Sequence, residues 1–559
     1  MTTESLPRRH DLVDSLRSDP LADVIIIGGG INGISTLREL ALAGVKVILV
    51  ERGDYAGGAS AGSSHMIHGG IRYLENGEVR LVKESLTERN HLLDNAPHYV
   101  KPLGTTIPVF STFSGIVSAP LRLLTHKAFS TKERGALLIK IGLVFYDLFG
   151  RKKGTLPAHE FHGKKKSLSH YPAMNRDVRY TAHYSDACIE QPERFAVELL
   201  ADALSTGDHV RAVNYFEAIS TTPEGELVVK DQLSDSTFRL RPKVIVNASG
   251  PWVDLTNHAL GCESDYMGGT KGSHIVVDNP ALHEACRGRE VFFENDDGRI
   301  VLILPLLGKV LVGTTDLPID NPDDASCSEE EIDYFIQLAG HVFPEIPIER
   351  SQIVYRYTGV RPLPAAGDLT PGLVSRDYRI TIDQVGSTPM LSLVGGKWTT
   401  FRALGEHLGE SALDLLGRSR EHSTTNTAIG GGVDFPRTDS ERSQWVEQNR
   451  GTLSAARMDQ LLSRYGTMAA SLASDIGDSA ETALKTLPEY SAEEVRWIVR
   501  REWVANLSDL THRRTPLAFT GQLTSAARNE LATIVGAQLG WSAQERRQQA
   551  AGAAWGVSD

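Results

Sequence analysis

At 559 residues the chain exceeds what a single hydrophobic core holds, so two or three domains are expected. Hydrophobic content of 41% and charged content of 23% are those of an ordinary soluble globular protein, and the net charge of −12 argues against general nucleic-acid binding. Four scattered cysteines without a C-x-x-C pair suggest neither a disulfide framework nor a metal site, and no apolar run reaches the roughly 18 residues of a membrane span.

Residues 1–20 read as a polar extension with a short amphipathic piece from Asp11 to Leu16 and no apolar signal segment. A buried strand, Val24 to Ile27, then enters Gly28-x-Gly30-x-x-Gly33. A helical stretch follows, and a second strand, Lys46 to Val50, ends at Glu51. This is the dinucleotide fingerprint in the context it requires. Gly28 permits the tight turn, Gly30 lets the backbone approach a pyrophosphate, and Gly33 lets helix and strand pack closely. Ile31 and Asn32 open the helix, whose free N–H groups and positive dipole end face the phosphates. Glu51, followed by Arg52, is placed to accept from ribose hydroxyls.

A run of small residues comes next. Gly57 to Leu74 includes Ser60, Ser63, Ser64, His68, Gly69, Gly70, Arg72 and Tyr73, so backbone and hydroxyls can crowd against a ligand. Residues 120–170 then hold eleven Lys or Arg against Glu133, Asp147 and Glu160, around an apolar stretch from Ala136 to Phe149. Basic residues beside an apolar helix suggest contact with an anionic membrane surface; a core helix with a solvated basic loop is the alternative. Helix and strand alternate again to a buried strand, Val244 to Val246, which leads into Asn247 to Trp252, including Ser249 and Gly250. Residues 271–360 are β-rich, with strands at Ser273–Val277, Val291–Glu294, Ile300–Leu304 and Val310–Thr314. A strand, the Gly395-Gly396 turn and a long helix precede a linker from Ser423 to Phe435. Helical spacing dominates from Ser440 onward.

The expected fold is α/β: a split Rossmann-like nucleotide domain (21–110, 170–270 and 361–420), an inserted antiparallel β-rich substrate domain (271–360), a basic and apolar insertion (111–169), and a C-terminal helical domain (430–559). A nucleotide domain split in this way belongs to flavin enzymes more than to nicotinamide dehydrogenases.

Eight ordered motifs make the reading specific. They are Gly28–Ile34, Ile67-His68-Gly69-Gly70-Ile71-Arg72-Tyr73-Leu74-Glu75, Asn247–Trp252, Lys271-Gly272-Ser273-His274, Gly313-Thr314-Thr315-Asp316, Gly359-Val360-Arg361-Pro362-Leu363, Ser375-Arg376-Asp377-Tyr378 and Gly395-Gly396-Lys397-Trp398-Thr399-Thr400. Over residues 23 to about 405 the chain resembles the FAD-dependent glycerol-3-phosphate dehydrogenase family. The resemblance implies FAD as cofactor, oxidation of sn-glycerol 3-phosphate to dihydroxyacetone phosphate, and electrons passed to a quinone. It also implies a cytoplasmic enzyme held peripherally at the inner membrane face, and leaves a homodimer open. An oxygen-using oxidase, a dehydrogenase of erythritol phosphate and a non-catalytic flavin-binding protein are the alternatives.

An alcohol that loses hydride must also lose its hydroxyl proton, so a base is needed near the carbinol. His is the side chain whose unperturbed pKa lies nearest neutrality. The resemblance places His274 over the flavin, which makes it the base candidate. Arg72, Arg361, Arg376 and Lys397 lie in turns or short polar loops, and arginine forks with a lysine point charge suit a dianionic phosphate. Tyr73, Thr315 and Asp316 complete the expected pocket. By resemblance, Trp252, Gly396, Lys397, Trp398 and Thr399 join the cofactor set. The chain departs from the family pattern at His65, where lysine is commoner, at Phe401, where tyrosine is frequent, and over Ala187–Arg194.

Overall fold

The computed structural model describes residues 7–70, 78–110, 139–140, 142–144, 146–147, 156–294, 300–365, 377–477, 481–554 and 556. Arg72, Tyr73, Arg376 and most of the basic and apolar insertion fall outside them.

Two sheets organise the chain. In the first, five parallel strands run in the order Thr388–Val394, Thr237–Asn247, Leu21–Ile27, Val47–Glu51 and Val210–Asn214, with Arg379–Val385 antiparallel at one edge. Val24, Ile25, Ile26, Val47–Val50 and Val244–Val246 are fully buried. This explains their continuous apolar sequence: a parallel sheet is covered on both faces. Helix Ile31–Leu42 packs between helices Pro192–Leu204 and Phe401–Leu415. The chain therefore returns to this sheet three times after its first two strands, at residues 210, 237 and 388, as the split pattern requires.

The second sheet has ten strands; near one edge of it Thr270–Val277 pairs antiparallel with Lys309–Gly313 on one side and with Ile353–Arg361 on the other. Its far half is Val100–Val109, Tyr180–Ile189, Glu160–Gly163 and Met66–Ile67. Local pattern alone places these four strands outside the β-rich segment 271–360, whereas they extend its sheet. Alternation shows that a segment is a strand, whereas its partner is chosen by long-range register. The sheet follows a period of two. Ile275 and Val277 face helix Glu329–Val342 through Ile332, Phe335 and Leu338, while Val276, Leu304, Leu311, Tyr355 and Tyr357 face the C-terminal helices.

The C-terminal helices start where Thr438, Ser454, Ser491, Thr524 and Ser542 each accept a backbone N–H at the N-cap. They close around Trp497, which is fully buried. Buried polar ties lock this domain to the first sheet's surroundings. Arg194 donates to both oxygens of Glu502 at 2.8 and 2.7 Å, and Arg514 grips Asp54. Among the described residues no helix is long and apolar enough to cross a membrane.

Candidate active site

The first strand ends in a turn that only a glycine takes comfortably: Gly28 has φ +111°. Helix Ile31–Leu42 follows, and a Cβ on Gly33 would sit 2.0 Å from the Gly28 carbonyl oxygen, so the helix crosses the strand in direct backbone contact. The helix N-terminus opens on a cavity of about 610 Å³. Gly28, Gly30, Ile31, Asn32, Glu51, Arg52, Ser60, Ser63, Ser249, Gly250, Trp252, Gly396, Lys397 and Trp398 of the sequence-derived set line it. The remaining members act around it. Gly33 packs behind the turn, His68 and Thr399 are tied at 3.3 Å, and Gly69 N–H donates to Tyr146 at 2.9 Å, with Gly70 following at φ +74°.

Each wall has a local cause. Ser60 accepts the Ile31 N–H at 2.9 Å, fixing the glycine-rich loop over the helix start. Glu51 accepts from Gly29 at 2.6 Å and Gly53 at 2.8 Å, which shapes the turn on either side. Burial pushes its carboxyl pKa up, against these hydrogen bonds. At the rim Arg52 stacks 4.6 Å from the Trp252 ring centre, and the indole donates to Asp323 at 2.8 Å. Lys397 reaches the His68 carbonyl at 2.5 Å and Ser85 at 3.2 Å.

The second sheet supplies the other group. His274 pairs across the strands with Gly313 and Tyr357, and its ring stacks on Tyr357 at 4.8 Å and 12°. Nε2 is 2.8 Å from Ser64 Oγ, while buried Nδ1 has no hydrogen-bond partner among the described residues. Burial, then the nearby Arg361 charge, pushes the His274 pKa well below the usual histidine range, so the imidazole is neutral. Arg361 is oriented by Asp316 at 3.0 Å, Thr314 Oγ1 at 3.1 Å and the Thr315 carbonyl at 2.8 Å. A Cβ on Gly272 would meet its Nη2 at 2.3 Å, so the guanidinium lies directly over this strand two residues from His274. The Thr315 hydroxyl itself bridges the Ser273 N–H and Glu331 and so braces Arg361 rather than facing the pocket.

Tyr357, Asp323 and Asp54 were not singled out by the sequence. Tyr357 carried a weak signal, its alternation with Tyr355 in a strand; Asp54 and Asp323 are turn acids with none. Of the departures, His65 is buried with Nδ1 3.0 Å from the Ile189 carbonyl, and burial pushes its pKa down to about 4. Phe401 packs edge-on against Phe195 and Trp398.

Residues 23–402 match the model of the FAD dependent oxidoreductase family, and residues 422–546 match that of the C-terminal domain of alpha-glycerophosphate oxidase. A glycerol-3-phosphate dehydrogenase of Synechocystis sp. is 33% identical over 552 residues, covering 94% of each chain. The chain belongs to the FAD-dependent glycerol-3-phosphate dehydrogenase family. A D-erythritol 1-phosphate dehydrogenase of Brucella abortus is 32% identical, over 88% of this chain and 94% of that one. The fold agrees: the structure of a glycerol-3-phosphate dehydrogenase from Bacillus halodurans complexed with FAD matches 98% of this chain and 96% of its own, with a TM-score of 0.75 at 22% identity.

FAD is thus the cofactor of this family member, and the cavity fits it. The fingerprint turn brings bare backbone to the cavity wall at Gly30, and the N-terminus of helix Ile31–Leu42, with its backbone N–H donors, opens beside it. Gly30 to Asn32 and Ser60 would hold the pyrophosphate, and Glu51 the ribose.

Proposed function

We propose that the enzyme oxidises the secondary alcohol of sn-glycerol 3-phosphate to dihydroxyacetone phosphate. The observation that carries this reading is a neutral, buried imidazole set beside an oriented guanidinium on one sheet. The names of the relatives over nearly the whole chain supply the substrate class. Arg361, joined by Arg72, Arg376 and Lys397, holds the phosphate dianion and so fixes the carbinol carbon in place, where orientation does much of the catalytic work. His274 takes the hydroxyl proton on its unpartnered Nδ1. FAD, held by Gly30 to Asn32, Ser60 and Glu51, would supply the two-electron redox chemistry of the reaction, with a quinone as the final electron acceptor.

Anaerobic addition of substrate tests this. Glycerol 3-phosphate should bleach the yellow flavin and glycerol should not; bleaching by D-erythritol 1-phosphate alone would reassign the substrate to the other polyol phosphate. Arg361→Ala should lower kcat/KM by roughly tenfold to a hundredfold, the range for a lost charge-assisted bond, while leaving FAD content unchanged. Equal efficiency of wild type with glycerol and its phosphate would show that the arginine has another task.

The enzyme works at an anionic membrane face, reached through the basic segment. Lys164, Lys165 and Lys166 open a short exposed helix, Lys164–His170. Each basic residue near such a surface contributes on the order of 1 kcal/mol, weakened by salt. Changing Arg151, Lys152, Lys153, Lys164, Lys165 and Lys166 to glutamine should reduce co-sedimentation with anionic liposomes and leave turnover with a soluble dye intact. Equal binding by the six-site variant would make the segment a solvated loop.

A further inference from the structure

The C-terminal domain reaches into the FAD cavity. Helix Leu507–Asp509 widens into a π turn, Leu510–Arg514, a conformation often found at functional sites. The turn delivers two consecutive arginines to Asp54, in the loop after Glu51. Their circumstances differ. Arg514 uses four of its five donors: it donates to both Asp54 oxygens, one at 2.8 Å, and twice to the Glu502 carbonyl at 3.1 and 2.8 Å. Arg513 lines the same cavity as Gly30, Ile31 and Ser60, yet donates no hydrogen bond among the described residues. Its Nη1 stands 3.6 Å from Asp54 and 3.9 Å from Asp509, and its buried Nε–H has no partner.

Neither carboxylate needs it. Asp54 is served by Arg514 and by Asn214 at 3.0 Å. Asp509 accepts from the Tyr215 hydroxyl at 2.6 Å and from the backbone of Ala505 and Asn506 at 2.9 Å each. A guanidinium has five N–H donors in a fixed fork, and burying it without acceptors is costly. The two acids keep it charged, since their attraction raises its pKa against the effect of burial. They do not satisfy its donors. The cavity is also short of positive charge. Glu51, Asp54, Glu217 and Asp323 line it, whereas Arg52 is ion-paired with Asp323 and Lys397 is drawn to the His68 carbonyl.

We propose that Arg513 is a cofactor-binding residue of the C-terminal domain, its guanidinium donating to the diphosphate of FAD, so that docking of this domain and retention of the cofactor are coupled. The Asp54–Arg514 pair positions the turn, and Arg513 supplies the bond.

Full-length Arg513→Ala, stripped of flavin and titrated with FAD, tests this by flavin fluorescence without any substrate. FAD should bind roughly tenfold to a hundredfold more weakly than to wild type, as expected for a lost charge-assisted hydrogen bond. ADP, which carries the same diphosphate, should lose affinity by a similar factor when it competes with FAD. The flavin-free variant should still fold and melt cooperatively, a few degrees at most below flavin-free wild type, because it loses only the two long ion contacts to Asp54 and Asp509 and no hydrogen bond of the apoprotein. If Arg513→Ala does not fold, Arg513→Gln carries the test: it keeps a polar group beside Asp54 and Asp509 and should show the same weakened FAD and ADP binding. Unchanged FAD affinity in whichever variant folds overturns the proposal. So does weakened FAD binding with unchanged ADP binding, which would place the effect away from the diphosphate.

Discussion

His274→Asn should lower kcat by about 10²- to 10⁴-fold, the usual contribution of a positioned base, while the purified variant stays yellow and its KM changes little. The imidazole lies on the second sheet, outside the set of residues lining the FAD cavity, so its loss leaves the cofactor's own contacts in place. Asparagine keeps a polar planar group between Gly313 and Tyr357 but offers no basic nitrogen. The pH profile separates this role from a packing role. A histidine pKa depressed by burial and by Arg361 means that the base stays unprotonated, and competent, as pH falls through 6.5. The acid limb of kcat/KM in wild type should therefore lie below pH 6.5. Substrate works in the opposite direction: a phosphate dianion on Arg361 cancels part of the charge that depresses His274, so the base strengthens when the substrate is in place. The limb in kcat should accordingly sit above the limb in kcat/KM. Retention of more than a tenth of wild-type kcat by His274→Asn would remove His274 from the proton transfer.

How much of this site the sequence carries differs between its two halves. The nucleotide half is written locally. The turn at Gly28, the contact at Gly33, the helix start at Ile31 and Asn32 and the strand end at Glu51 all lie within 24 residues, and backbone geometry forces their spacing. The substrate half is assembled across strands. His274 meets Tyr357 because Thr270–Val277 pairs antiparallel with Ile353–Arg361, and nothing near residue 274 names residue 357 as the partner. Ordered motifs brought His274 and Arg361 forward, but the bracing by Asp316, Thr314 and Thr315 is visible only in space. The same reason hides the far half of the second sheet, in which Val100–Val109 pairs with Tyr180–Ile189 over some seventy intervening residues. It also hides Arg513, an arginine in a helical run whose sequence neighbourhood resembles any solvated face. Short-range patterning specifies elements, and a site drawn from four distant segments is specified by how those elements dock.

Two glycines only three residues apart should fail in different ways, and this separates cofactor recognition from folding. At Gly30 the backbone lies at φ −76° and ψ 175°, which any residue adopts, and an added Cβ would meet only Ser60 Oγ, at 3.2 Å. The side chain of Gly30→Leu would then project into the cavity that the dinucleotide needs. The apoprotein should fold and melt like flavin-free wild type, yet purify colourless, with FAD in fewer than about a tenth of chains, because the pyrophosphate can no longer reach the helix N-terminus. Gly33→Ala adds one methyl group, but its Cβ would lie 2.0 Å from the Gly28 oxygen and 3.1 Å from the Gly28 carbonyl carbon. Both atoms are backbone, so no rotamer relieves the clash. Helix Ile31–Leu42 would have to move off the strand, and that helix is itself clamped between Pro192–Leu204 and Phe401–Leu415. Overpacking of this kind typically costs about 1–3 kcal/mol or more, so in a chain of this size the flavin-free protein should melt roughly 1–3 °C or more below wild type, and FAD should be lost as well. Differential scanning fluorimetry of the two apoproteins, with the ratio of flavin to protein absorbance, reads both outcomes. Stoichiometric FAD in Gly30→Leu would show that the backbone at residue 30 does not face the pyrophosphate. Wild-type melting of Gly33→Ala would show that the helix can yield, and that the spacing of the fingerprint serves the cofactor alone.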